Sequence, residues 1–249
     1  MNADRGADRR NGIAAGVLFL VTEVAAIAGV ALYRPVLGGA DYVLGAGADN
    51  RVLLGALCEV VLALAVAGTG VTLFPVLRRQ HEGIALGYVC ARLLEAVVII
   101  LGLVAVLAVV TLRRDAAPSD AGASVTAARA LLAVHDWTFL LGPNLILGVN
   151  TLLLALLLHR ARVVPRTITA LGLVGGPLIC ASAVAVWFGL YGQLSGPGAA
   201  AALPVFAWEL SLAGWLVLRG FRGSRGSRAA DADADAVARD SRAADAVAH

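Results

Sequence analysis

Along the chain, long apolar runs alternate with short polar breaks. Six of the runs, 12–33, 52–77, 84–112, 130–158, 168–191 and 199–221, are long enough to cross a bilayer, which takes roughly 20 residues of helix. The third run is 29 residues, about 43 Å as a helix against about 30 Å of hydrocarbon, so it has to tilt or project. The breaks carry local signals. Arg34-Pro35 is expected to end the first span, because the residue before a proline is pushed out of helical geometry. Gly38, Gly39, Gly45 and Gly47 mark turns in the loop that runs to Arg51. The connection from Arg78 to Gly83 is short enough to make the second and third spans antiparallel neighbours. Residues 113–129, which include Pro118, Ser119, Asp120 and Gly122, read as a polar loop. Helix kinks are expected at Pro143 and Pro177, each preceded by glycine, since proline removes a backbone hydrogen bond inside a helix.

The pattern predicts an all-α polytopic membrane protein with three parts: a polar leader over 1–11, a bundle of six transmembrane helices over 12–221, and a tail over 222–249. The tail is Gly/Ser/Arg and then Ala/Asp/Arg of low complexity, too poor in large apolar residues to bury a core, and is expected to be disordered. Composition agrees with the membrane reading: 59% of residues are hydrophobic, 15% are charged, and the mean hydropathy is +0.83. The first apolar run is too long for a cleaved signal sequence and reads as a retained signal anchor.

Charge sets the orientation. All 20 basic side chains are arginine. The leader, the second and fourth loops and the stretch after the last span hold twelve of them, and the opposite loops hold five. By the positive-inside rule this places both termini in the cytoplasm. The arginine, alanine, glycine and valine bias suggests a GC-rich bacterial genome, and hence the inner membrane. The arginines lie at loop ends and form no contiguous patch, which argues against nucleic-acid binding. Cys58, Cys90 and Cys180 all fall in predicted spans, with neither a disulfide framework nor metal-ligand spacing.

Ionisable residues within the spans are the candidate chemistry. Insertion scales charge roughly 2.5–3.5 kcal/mol for Arg or Asp near the helix centre, so such residues are normally turned inward and have a role. Tyr88, Arg92 and Glu95 share one helical face. Counting residues from the span ends puts Glu23 and Glu209 at overlapping depths with them and Glu59 further outward. Glu23, Glu59, Arg92, Glu95 and Glu209 are therefore expected to form an intramembrane cluster with Arg92 as hub, since a guanidinium serves several carboxylates well. Two readings stand: a packing device, or a set of carboxylates that outnumber their cation and line a proton or substrate path. His135-Asp136 reads as an outer-interface pair capping the start of the fourth span, beside Trp137; the alternative is a proton-transfer or ligand-binding pair. The spacings Gly12/Gly16, Gly83/Gly87 and Gly172/Gly176 are weak candidates for close helix approach in a chain of 28 glycines. Neither zinc-protease, nucleophile-elbow, phosphate-loop nor dinucleotide signatures occur, so the expectation is a protein that is not an enzyme, with no catalytic residue, cofactor or metal.

Several fragments in order carry a resemblance: Phe74-Pro75-Val76-Leu77-Arg78-Arg79, Arg92-Leu93-Leu94-Glu95-Ala96, His135-Asp136-Trp137 through Gly142-Pro143, Val164-Pro165-Arg166 with Leu171-Gly172-Leu173-Val174-Gly175-Gly176, and Glu209 before Trp215. Over about Arg9 to Phe221 the chain resembles the bacterial membrane proteins grouped as the domain of unknown function 4386 family. The resemblance implies a multi-pass inner-membrane protein and brings no activity, substrate or cofactor with it. Two functions are expected from the residues. The first is a small transporter or permease handling a small ligand or protons. The second is a non-catalytic sensor or scaffold for a lipid, a small apolar ligand or a partner protein. The bilayer is the one partner the pattern requires; oligomeric state is not encoded in it.

Overall fold

A computed structural model of the chain describes residues 2–45, 48–115 and 120–221, apart from the side chains of 2–6, 40 and 41. The tail expected over 222–249 lies outside the described residues, as do Pro118 and Ser119. Among the described residues there are only helices: α1 (Asn2–Leu37), a 3₁₀ turn (Ala40–Leu44), α2 (Asp49–Leu77), α3 (Glu82–Asp115), α4 (Ala121–Leu140), a π-helical turn (Leu141–Ile146), α5 (Leu147–Ala161), α6 (Arg166–Trp187) and α7 (Gly196–Arg219). The π turn joins α4 and α5 into one 41-residue rod, so six helices are long and apolar enough to span a membrane. This is a multi-pass helical membrane protein.

The helices overrun the apolar runs in three places, each for a physical reason. The leader is helical and continues into α1, because hydropathy measures the depth of membrane and not the length of helix. Residues 121–129, expected as loop, are the first turns of α4; Ala, Arg and Val there support helix without needing lipid. Pro35 does not end α1, which runs on to Leu37. A proline at 35 leaves the Ala31 carbonyl without its helical donor, and the Arg51 guanidinium takes that carbonyl at 3.0 Å. Pro143 is answered in the same way: the Asn144 side chain donates to the Phe139 carbonyl at 3.1 Å within the π turn. α6 is continuous through Pro177, which lies on an exposed face.

Each helix packs on its chain neighbours and α7 returns to α1, closing a ring in the order α1, α2, α3, α4/α5, α6, α7. Two apolar cores fill opposite ends of this ring. One joins Phe19, Leu73, Leu77, Tyr88, Leu154, Leu158, Trp208 and Leu212. The other joins Tyr33, Val36, Tyr42, Val52, Leu103, Val106, Val110 and Ala128.

Close approach is confined to one end for the α1–α7 pair. A methyl group on Gly16 would sit 2.9 Å from the Ala213 carbonyl oxygen and 3.0 Å from Leu216 Cβ, so only glycine allows the contact. At the α5–α6 crossing a methyl on Gly148 would sit 2.7 Å from the Gly176 carbonyl oxygen. Of the three glycine pairs, Gly12/Gly16 and Gly172/Gly176 lie at helix contacts. Gly83 and Gly87 do not: no contact closer than 4.0 Å reaches the latter. Further along, α1 also packs closely on α2, Tyr33 against Gly55 and Leu18 against Gly68, and a cavity opens within the ring between the two cores.

Candidate functional site

The site begins with Arg92, 3% exposed, on the face of α3 that also carries Tyr88 and Glu95. All three of its nitrogens are engaged. Nε donates to the Tyr88 hydroxyl at 3.2 Å, one terminal nitrogen to Glu95 Oε2 at 3.1 Å, and the other to Glu209 Oε1 on α7 at 3.1 Å. The guanidinium carbon lies 5.3 Å from the Phe19 ring centroid and 5.7 Å from that of Tyr88, a cation–π setting that compensates part of its lost hydration. Glu95, also 3% exposed, accepts a second bond from the Asn150 side chain of α5 at 2.6 Å. Glu23 of α1 faces the Glu209 carboxyl, close enough for a carboxyl–carboxyl hydrogen bond. Four helices thus meet at one guanidinium.

A second polar group lies about three turns further along α1, some 15 Å at helical rise. Tyr33 donates its hydroxyl to Glu59 Oε2 of α2 at 3.1 Å, and the Tyr33 ring meets His135 edge-on with centroids 5.9 Å apart. His135 in turn stacks on Phe139 and keeps a long 3.4 Å contact between Nδ1 and the Gly102 carbonyl. The expectation of a cap at the start of the fourth span is therefore corrected. The helix begins at Ala121, well before His135, whose imidazole is buried among α1, α3 and α4. Asp136, the next residue, is exposed, and neither residue lies at a helix start, so the two do not form a cap.

A cavity of about 490 Å³ connects both groups. Glu23, Glu59, Arg92, Glu95 and Glu209 all line it, together with His135, and Pro143 of the π turn contributes to the wall. Its remaining lining is mainly apolar, including Ile27, Leu62, Val66, Ile99, Phe139 and Leu147. Two further cavities flank it: one of about 420 Å³ reaches Asp136 and Tyr33, and one of about 270 Å³ lies against α7 and Glu209. Phe139 lines all three. Pro177 lines none of the three.

Three participants were not singled out as site residues from the chain alone: Asn150, Tyr33 and Phe139. A fully buried asparagine inside an apolar run carries the same signal as Glu95, since an amide in the membrane needs a partner. Tyr33 and Phe139 give no such signal, because an aromatic in a span is ordinary packing. Among the described residues, no group of three or more His, Cys, Asp or Glu side chains is placed to hold a metal ion.

Neither a curated protein nor a solved structure matches the chain. Over residues 14–220, however, a family model does match, covering all six membrane helices, and the chain belongs to the family described as "Domain of unknown function (DUF4386)".

Proposed function

We propose that this protein is a small proton-linked transporter of the bacterial inner membrane, with both termini in the cytoplasm and no catalytic role. One observation carries the reading: ionisable side chains within the membrane spans α1, α2, α3 and α7 line a single cavity of about 490 Å³. That volume falls in the range of about 300–1,000 Å³ that accommodates small ligands. The cavity also stops at a packed floor. Toward the N-terminal end of α1, Phe19, Tyr88, Trp208 and Leu212 fill the ring, whereas toward Arg34 the lining becomes exposed. A site open to one side and sealed on the other is what alternating access requires of each half-cycle.

Proton coupling follows from hydrogen-bond inventory. Two carboxyls that face one another, as Glu23 and Glu209 do, hydrogen bond only when one carries a proton. When that proton leaves, the pair repels, and Arg92 is already committed to Tyr88, Glu95 and Glu209. Substrate charge or a rearrangement of α1 against α7 then has to relieve the repulsion. Arg92 itself serves as the fixed hub that positions its carboxylates, each of its three nitrogens donating to one partner. The pairing of Arg92 with both Glu95 and Glu209 is the observation that favours the second reading, a sensor or scaffold with a static polar core.

The topology rests on the arginine bias, and the five arginines expected outside include three with structural duties. Arg51 holds the Ala31 carbonyl, and Arg113 and Arg114 both pair with Asp49.

Alternating access separates the two readings without a known substrate. With the three native cysteines replaced, Ala85→Cys puts a thiol in the floor, where Ala85 is 0% exposed. A transporter is expected to let a membrane-impermeant thiol reagent reach that position from the cytoplasmic side, slowly and in a pH-dependent way. Complete protection over the pH range would favour the static module.

A further inference from the structure

The charge balance of the cavity points to what it binds, given the transport reading above. Its lining holds four carboxyls, those of Glu23, Glu59, Glu95 and Glu209, against two guanidiniums, those of Arg34 and Arg92. Arg92 is consumed by Glu95 and Glu209, and Glu95 is further held by Asn150. Arg34 is exposed at the rim. Glu59 and Glu23 form no ion pair among the described residues. Glu59 is 8% exposed, and its one hydrogen bond comes from a neutral phenol. A carboxylate placed so deep without a cation is costly unless a cation arrives.

The walls restrict that cation. Hard inorganic ions need several converging oxygen ligands, whereas most of the cavity lining is apolar, Leu62, Val66, Ile99 and Phe139 among it. A group with one positive charge on an apolar body suits both features, and the Phe139 ring in the wall offers cation–π attraction.

The entrance has the same character. Ile27, Ala31 and Arg34 line the cavity and are exposed, and they extend at helical spacing the exposed stripe Val17, Leu20 and Val24 of α1. That stripe is the outer face of the ring, so the mouth opens along the lipid-facing flank of α1. A solute partitioned in the bilayer reaches the carboxylates without crossing the loops.

We propose that the cavity binds lipophilic organic monocations, an amine or onium charge on an apolar body, that enter from the bilayer beside α1 and are recognised by Glu59 and Glu23. The test is equilibrium binding of tetraphenylphosphonium to the full chain in lipid nanodiscs, with tetraphenylborate as the anion of matching shape. Saturable phosphonium binding is expected, weakened about tenfold or more by Glu59→Gln and by Glu23→Gln, as befits loss of a buried charge contact. Glu59→Asp, which keeps a carboxylate at the position, is expected to bind more tightly than Glu59→Gln, and this separates loss of the charge from a folding defect. Competition by tetraphenylborate, or phosphonium binding indifferent to both glutamines, would overturn the proposal. Labelling of Ala85→Cys without phosphonium binding would sink this ligand class and leave transport standing. Binding without floor labelling would leave the ligand class standing and remove transport.

Discussion

The Asn150 amide donates to Glu95 Oε2 across 2.6 Å, joining α5 to α3 through the same oxygen that Arg92 grips at 3.1 Å. This double hold fixes the Glu95 carboxylate and frees the second terminal nitrogen of Arg92 for Glu209, so a neutral residue on one helix sets the geometry of an ion pair between two others. Replacing Asn150 by leucine removes a charge-assisted bond from a fully buried oxygen. The expected loss is about 1–3 kcal/mol, read as a lower melting temperature in detergent. Asn150→Asp, which sets a second carboxyl against that of Glu95, is expected to lose more; equal melting of both variants and wild type would show that the bond contributes nothing.

Arg92 is the more severe test. Arg92→Leu strips Glu95 and Glu209 of their common cation, and breaking a buried pair on one side costs about 3–5 kcal/mol. Folded, monodisperse protein should fall sharply in yield. Adding Glu95→Gln and Glu209→Gln to Arg92→Leu removes the orphaned charges and should recover part of the loss. If Arg92→Leu alone melts as wild type does, the guanidinium is not the hub of the cluster.

How far the chain announced this arrangement depends on the range of each interaction. Six spans and the Arg92–Glu95 face were legible because they follow from local periodicity: a 20-residue apolar run, and side chains three apart on a helix. Glu209 and Glu23 entered through depth, which residue counting approximates when helices are antiparallel. The Tyr33–Glu59 and Asn150–Glu95 bonds depend on which faces of different helices meet, and no local pattern encodes that. The misplacement of His135 has a single root. Hydropathy places the start of the fourth span at about residue 130, the helix starts at Ala121, and the shift of more than two turns turns a supposed cap into a buried ring.

Topology has a direct chemical assay. Leu194, 75% exposed before α7, and Gln80, exposed between α2 and α3, lie at opposite ends of the ring. In intact cells and a cysteine-free background, Leu194→Cys is expected to react with an impermeant maleimide and Gln80→Cys to react only after lysis. The reverse pattern would place both termini outside.

The α1–α7 contact at Gly16 seals one end of the cavity, so enlarging the residue should loosen the seal. A leucine there cannot avoid the Ala213 carbonyl, and overpacking of this kind costs about 1–3 kcal/mol. Gly87→Ala serves as the control, because its nearest neighbour would be Leu153 Cδ1 at 4.0 Å. Gly16→Leu should lower the melting temperature and raise thiol labelling at Ala85→Cys, while Gly87→Ala changes neither. Equal behaviour of the two would mean that the seal lies elsewhere.

The bond between Arg51 and the Ala31 carbonyl explains why α1 survives Pro35, and a double-mutant cycle isolates it. With proline at 35, Arg51→Ala leaves that carbonyl without its guanidinium donor, at an expected cost of about 0.5–1.5 kcal/mol. Pro35→Ala restores a backbone N–H that can reach the same carbonyl in the ordinary helical way, so in that background Arg51→Ala should cost much less. The difference between the two costs is the coupling energy, measured from melting in detergent. A coupling near zero would mean that α1 holds its last turn through packing on α2 alone, with Arg51 serving only as a surface charge.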